Sequence, residues 1–188
     1  MLLHNVEISR ESLHYAHSTP TPDGSNWQPL RDHLKQTALR AKMFGSKFGA
    51  AKAAALAGWL HDLGKYSEAY QAYIAGRGPG GVDHSTAGAQ EVLKLGLKGA
   101  DKGMAELIAY AIAGHHAGLP DMIGADGEAS ALADRLGKRI PPLRDWRLPL
   151  AGPRCWTSFS AFWWPGRSDR QRFAIDCVVQ KMPLDSIQ

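Results

Sequence analysis

Between Gln28 and Phe48 the apolar side chains recur every three or four residues, at Leu30, Leu34, Ala38, Ala41, Phe44 and Phe48. A helix brings residues at that spacing onto one face, whereas a strand scatters them over both. The pattern continues downstream. An Ala-rich stretch over 50–62 places Leu56, Trp59, Leu60 and Leu63 on a repeating face and predicts a second helix. Residues 67–75 predict a third, capped by Ser67, residues 83–97 a fourth, and residues 103–113 a fifth. Gly49 and Gly64 read as helix stops. Residues 19–27 form a turn-rich entry loop and 76–81 a glycine-rich loop. Runs of alternating β-branched residues are absent, and no repeat of 20–50 residues is evident. These patterns predict an all-α domain over residues 1–137.

The remainder has a different character. Residues 1–137 carry 13 Lys and Arg against 14 Asp and Glu, a net of −1, while residues 138–188 carry 9 against 4, a net of +5. The basic balance of the 188-residue chain therefore belongs to its end, which weakens any argument from net charge alone to nucleic-acid binding. All eight histidines precede residue 117, and four of the six tryptophans follow residue 145. Prolines 141, 142, 149, 153 and 165 leave room for one helix in the tail, near residues 170–180. We read residues 138–188 as an irregular Pro/Trp-rich tail, a truncated or frame-shifted end of the domain. A Trp-rich segment packed on the bundle is the alternative. Composition, at 44% hydrophobic and 21% charged, excludes a disordered, collagen-like or disulfide-scaffold chain. No apolar run approaches the ~20 residues of a membrane helix, and the start lacks a secretory pattern. A cytoplasmic protein is expected, with Cys155 and Cys177 as free thiols.

The chemistry sits in the histidines. His33 lies mid-face on the first helix, and His61-Asp62 closes the second. His84 opens the fourth helix, and His115-His116 ends the fifth. A His-Asp dipeptide occurs often by chance, and a histidine on an apolar face is usually a satisfied core residue. Five histidines and an aspartate spread over four helices fit a metal site better, because facing helices of a bundle deliver convergent N and O ligands.

The sequence resembles the HD-type nuclease domain of Cas3, the effector nuclease of type I CRISPR systems. The matching pieces begin with Tyr15-Ala16-His17-Ser18, Leu30-Arg31-Asp32-His33-Leu34 and the run from Ala57 to Tyr66 around His61-Asp62. Val82-Asp83-His84-Ser85-Thr86-Ala87-Gly88-Ala89 and the run from Ala113 to Asp121 around His115-His116 complete them. The match spans residues 13–123. The resemblance implies an HD-domain helical bundle with two divalent metals bridged by the His-Asp carboxylate. His33, His61 and Asp62 would hold one metal, and Asp62, His84, His115 and His116 the other. Two cations about 3.5–4 Å apart clamp a phosphodiester and activate water. Imidazole-rich ligation favours Mn, Co, Ni or Fe over Mg. Asp62 and Lys65 are the catalytic candidates, with Lys65 neutralising charge on the scissile phosphate or, alternatively, standing as a solvated lysine at a helix end. The implied substrate is single-stranded DNA, and the implied partners are a separate Cas3 helicase and a CRISPR surveillance complex.

Other residues have plainer readings. His17 packs under the entry loop or meets substrate, and Asp121 caps a turn or supplies an outer ligand. Ser85 and Thr86 satisfy the first amides of the fourth helix or orient His84, and Arg77 is a solvated arginine or a phosphate grip. The sequence departs from the family twice. The late aspartate that completes the first metal site in the family has no matching segment, leaving Asp176 as the only late aspartate on a helical stretch. The helicase that usually continues the family's chains is not expected here, as in the family's split form or a truncated one: Gly58 to Lys65 does not fit a Walker A pattern because five residues separate the glycines and Tyr66 follows the lysine. The rival readings are an HD phosphohydrolase acting on a nucleotide, and a catalytically impaired remnant that binds metal or a partner without cutting.

Overall fold

The computed structural model describes residues 14–21, 24–95, 100–124, 131–144 and 146. The all-α architecture expected from the spacing is present. Six α-helices are described: α1 (Leu30–Ser46), α2 (Ala51–Leu60), α3 (Glu68–Ile74), α4 (Thr86–Leu93), α5 (Ala100–Gly114) and α6 (Leu132–Leu136). Asp176, both cysteines and the helix expected near 170–180 lie outside the described residues.

α1 starts directly after Pro29, a residue whose fixed φ suits a helix entry. It buries Leu30, Leu34, Ala38 and Gly45, and the chain leaves it through Gly49 at φ +75°. The apolar face is therefore shorter than the sequence spacing implies. Phe44 and Phe48 are exposed, because the helix ends before Phe48 and the face drifts toward Gly45. α2 buries Ala55, Leu56, Gly58, Trp59 and Leu60. Together with Leu63, Val92, Ile112 and Leu132, these leucines form one continuous core. Each fully buried Leu stabilises the fold by about 1.5–3 kcal/mol relative to leaving it in water.

Two further elements were not expected from the spacing. The first is a small antiparallel pair, β1 (Tyr15–His17) and β2 (Gln28–Pro29), with an irregular register between Tyr15 and His17. The second is a 3-10 turn over Leu63–Tyr66. Gly64 is not the stop that its position suggested. It sits inside that turn, donates its N–H to the His84 carbonyl at 3.0 Å, and has no room for a side chain. A Cβ there would lie 2.5 Å from His84 Cα, so glycine is what lets the two segments meet. Gly88 permits a similar close approach on α4. A Cβ on it would collide with the Leu60 carbonyl, so α4 rests directly on the end of α2.

Packing continues past residue 137. Ile140, Leu143 and Trp146 lie against the core, Leu143 bridges to Ser67, and the Trp146 ring is 5.9 Å from that of Tyr66. No helix among the described residues is long and apolar enough to cross a membrane.

Candidate metal centre

His61 and Asp62 follow the last residue of α2, and Asp62 begins the 3-10 turn. That break in the helix turns the carboxylate inward. Asp62 is buried at 2% exposure, while the imidazoles around it keep one edge open to solvent. His33 approaches from α1, His84 from the segment before α4, and His115 and His116 from the turn after α5.

The two carboxylate oxygens serve different sides. Oδ2 lies 2.9 Å from His33 Nε2, 3.0 Å from His61 Nε2 and 2.9 Å from Lys65 Nζ. Oδ1 lies 3.3 Å from His115 Nε2 and 3.5 Å from His84 Nε2. His116 completes that second side, with its ring centroid 4.1 Å from that of His115 and 4.8 Å from that of His84. Ligand atoms of Asp62, His84, His115 and His116 all fall within 4.8 Å of one another, and so do those of His17, His33 and Asp62.

Three backbone carbonyls set the tautomers. Nδ1 of His61 donates to Gly58 O at 2.8 Å, that of His84 to Val82 O at 3.1 Å and that of His115 to Ile112 O at 2.7 Å. A carbonyl only accepts, so these Nδ1 atoms carry a proton, and in a neutral ring the Nε2 lone pair then points inward. Asp62 Oδ1 and His84 Nε2 are consequently buried with no hydrogen-bond partner, facing each other as two acceptors. Buried lone pairs in that arrangement are costly, and a cation satisfies both. The donor set therefore fits a divalent transition metal, with imidazoles and one shared carboxylate.

Protons compete for the same place. Burial alone would raise the Asp62 carboxyl, but the His115, His33 and His61 imidazoles close around it outweigh this and hold Asp62 well below the usual carboxylate range. Burial lowers His84, and burial with the neighbouring His115 lowers His116. Tyr70 is pushed up to about 12 by burial and by the Asp62 charge, and its hydroxyl donates to Ala16 O at 3.2 Å.

Lys65 is not solvated. It is 2% exposed and its Nζ spans Asp62 Oδ2 and the Ala16 carbonyl at 3.1 Å. His17 is exposed, and its ring meets that of His33 edge-on at 4.9 Å. Asp121 is exposed and joins neither ligand group, its carbonyl accepting from Leu132 N–H at 2.8 Å. Arg77 is exposed on the glycine-rich loop.

Two supporting residues escaped the sequence reading. Asp83, rather than Ser85, caps α4: its Oδ1 accepts from Thr86 N–H at 3.0 Å and its Oδ2 from Thr86 Oγ1 at 2.7 Å. Asp-x-x-Thr before an apolar run was the available signal. Arg135 on α6 donates to Ala113 O at 2.6 Å and to Ser85 Oγ at 2.6 Å. It thereby ties the end of α5, which carries His115 and His116, to the start of α4, which carries His84.

The model of the HD domain family matches residues 30–145, more than half of the chain. No curated protein matches it.

Proposed function

The chain belongs to the HD domain family of metal-dependent phosphohydrolases, and from that premise we propose that it hydrolyses phosphodiester bonds of single-stranded DNA with two divalent cations. The observation that carries this reading is the division of labour on Asp62, whose two oxygens face two separate sets of imidazoles. His33, His61 and Asp62 would hold one cation, and Asp62, His84, His115 and His116 the other. When bound, such cations supply Lewis acidity, offsetting phosphate charge and making water a better nucleophile at neutral pH. The chain's own residues prepare the place. The Gly58, Val82 and Ile112 carbonyls hold the Nδ1 protons of three imidazoles and so turn their Nε2 atoms inward, and Lys65 holds Asp62 Oδ2 and offsets its charge. The open imidazole edges leave the centre reachable from solvent.

DNA as substrate is supported by the strings around His84 and His116, which resemble Cas3 more than HD phosphohydrolases at large. The near-neutral balance of residues 1–137 favours single strands, because it offers no strongly basic face for a duplex. In that setting a separate helicase and a CRISPR surveillance complex are the proposed partners, and the cytoplasm the proposed location.

The test is an assay of the full chain on single-stranded DNA, matched blunt duplex and a nucleotide panel, with Mn, Co, Ni or Mg. We expect single-strand cleavage with the transition metals and little on duplex. Turnover of free nucleotides with none on DNA would replace this reading with a nucleotide phosphohydrolase. Metal binding without turnover of any substrate would point to an impaired remnant.

A further inference from the structure

We propose that His17 is a ligand of the cation position formed by His33, His61 and Asp62, so that the short strand β1 belongs to the metal centre. The proposal rests on the metal-centre reading above. His17, His33 and Asp62 place their ligand atoms within 4.8 Å of one another. The His17 ring stands edge-on to that of His33 at 4.9 Å.

A three-residue strand with a two-residue partner has little stability of its own. Side chains from around the site hold β1 instead. Gln71 accepts from Tyr15 N–H at 3.0 Å and donates to Tyr15 O at 2.9 Å. Ala16 O accepts from Lys65 Nζ at 3.1 Å and from Tyr70 Oη at 3.2 Å. Lys65 also holds Asp62 Oδ2 at 2.9 Å, so one buried ammonium joins the bridging carboxylate to the residue before His17. The register irregularity between Tyr15 and His17 falls where the strand brings His17 beside His33. A histidine needed only for packing would not call for a strand pinned at both preceding residues to the residues around Asp62. With His17 the position gains a third imidazole, which matches the three of His84, His115 and His116 on the other side of Asp62.

The test uses the full chain and Co(II) as the probe, with ions counted by plasma mass spectrometry and affinities read by calorimetry. His17→Ala removes the side chain, and His17→Phe keeps a ring against His33 without a lone pair. Melting of each metal-free variant, followed by circular dichroism, reports folding separately. Wild type should take two ions. Both variants should keep one at wild-type affinity and bind the other at least about ten-fold more weakly, with His17→Phe melting as wild type does. His84→Ala should weaken the opposite ion. Two ions held at wild-type affinity by His17→Phe would overturn the proposal and leave the two-cation reading standing. A wild-type chain that binds no ion would overturn both.

Discussion

Among the described residues Asp62 alone faces both sets of imidazoles, and its consequences differ from those of any histidine. With the two cations proposed above, removing one imidazole would take a ligand from one position, whereas Asp62→Ala would take one from each. Cleavage by Asp62→Ala should fall by about a thousand-fold or more, the several kcal/mol that cations contribute to transition-state charge. Each single histidine variant should lose less at saturating metal, measured as kcat on single-stranded DNA. The pH dependence of metal affinity follows from the imidazoles. Burial lowers His84 and His116, so they remain neutral below the ordinary imidazole value of about 6.5. Protonation opposes metal, so competition from these two imidazoles should be absent at neutral pH and appear only on the acid side of about 6.5. Calorimetric titrations of Mn(II) between neutral and acid pH test this, and a decline already under way above neutrality would contradict it. That the six side chains from His33 to His116 converge was legible in the sequence because each stands at a helix end or on a helical face. His17 was not, since its place depends on side-chain bonds from Gln71, Lys65 and Tyr70, 48 or more residues away, that no local pattern announces. Lys65 misled for the opposite reason: a lysine after a helix end normally reaches water, and only the buried carboxylate at Asp62 draws it inward.

Among the elements, the start of α4 decides where His84 stands. Asp83 caps it, and Arg135 ties it to the end of α5. Asp83→Ala should cost about 1 kcal/mol of stability, as loss of a helix cap does, read from urea unfolding. Burial raises the Asp83 carboxyl, but the Thr86 hydrogen bonds and the charges of Arg135 and Lys138 outweigh it and leave it lowered. A lowered folded value means stability is fully present above the unfolded Asp value of about 3.9 and is lost as pH falls from there through the lower folded value. Asp83→Asn should flatten the acid limb of the stability profile. Arg135→Ala should weaken the cation at His84, His115 and His116 by about ten-fold, and Arg135→Lys should not restore it, because an ammonium lacks the fork that reaches two acceptors. Helix existence was legible from periodicity, but the contacts between helices were not. Gly64 and Gly88 look like punctuation in the sequence, and their use is the absence of a Cβ beside His84 and Leu60. Gly88→Ala should destabilise by about 1–3 kcal/mol or more, since the obstacle is backbone.

At the scale of the whole molecule, the centre joins what the chain keeps apart. β1, α1, the end of α2, the start of α4 and the turn after α5 all meet at Asp62, so cations that bind there should stabilise the fold as a unit. At a hundred-fold excess over its dissociation constant, one ion should add about 2.7 kcal/mol, seen as a rise in Tm with Mn(II) that Asp62→Ala abolishes. Pro and Trp content suggested a change of character near residue 138; of the described residues beyond it, Ile140, Leu143 and Trp146 pack against the core and Arg144 reaches Glu68 at 2.8 Å. If one carboxylate serves two cation positions, electron paramagnetic resonance of the full chain with two equivalents of Mn(II) should show the spectrum of an exchange-coupled pair, lost together with both ions in Asp62→Ala. Two bound ions giving only the spectrum of isolated Mn(II), unchanged in kind by that substitution, would contradict it.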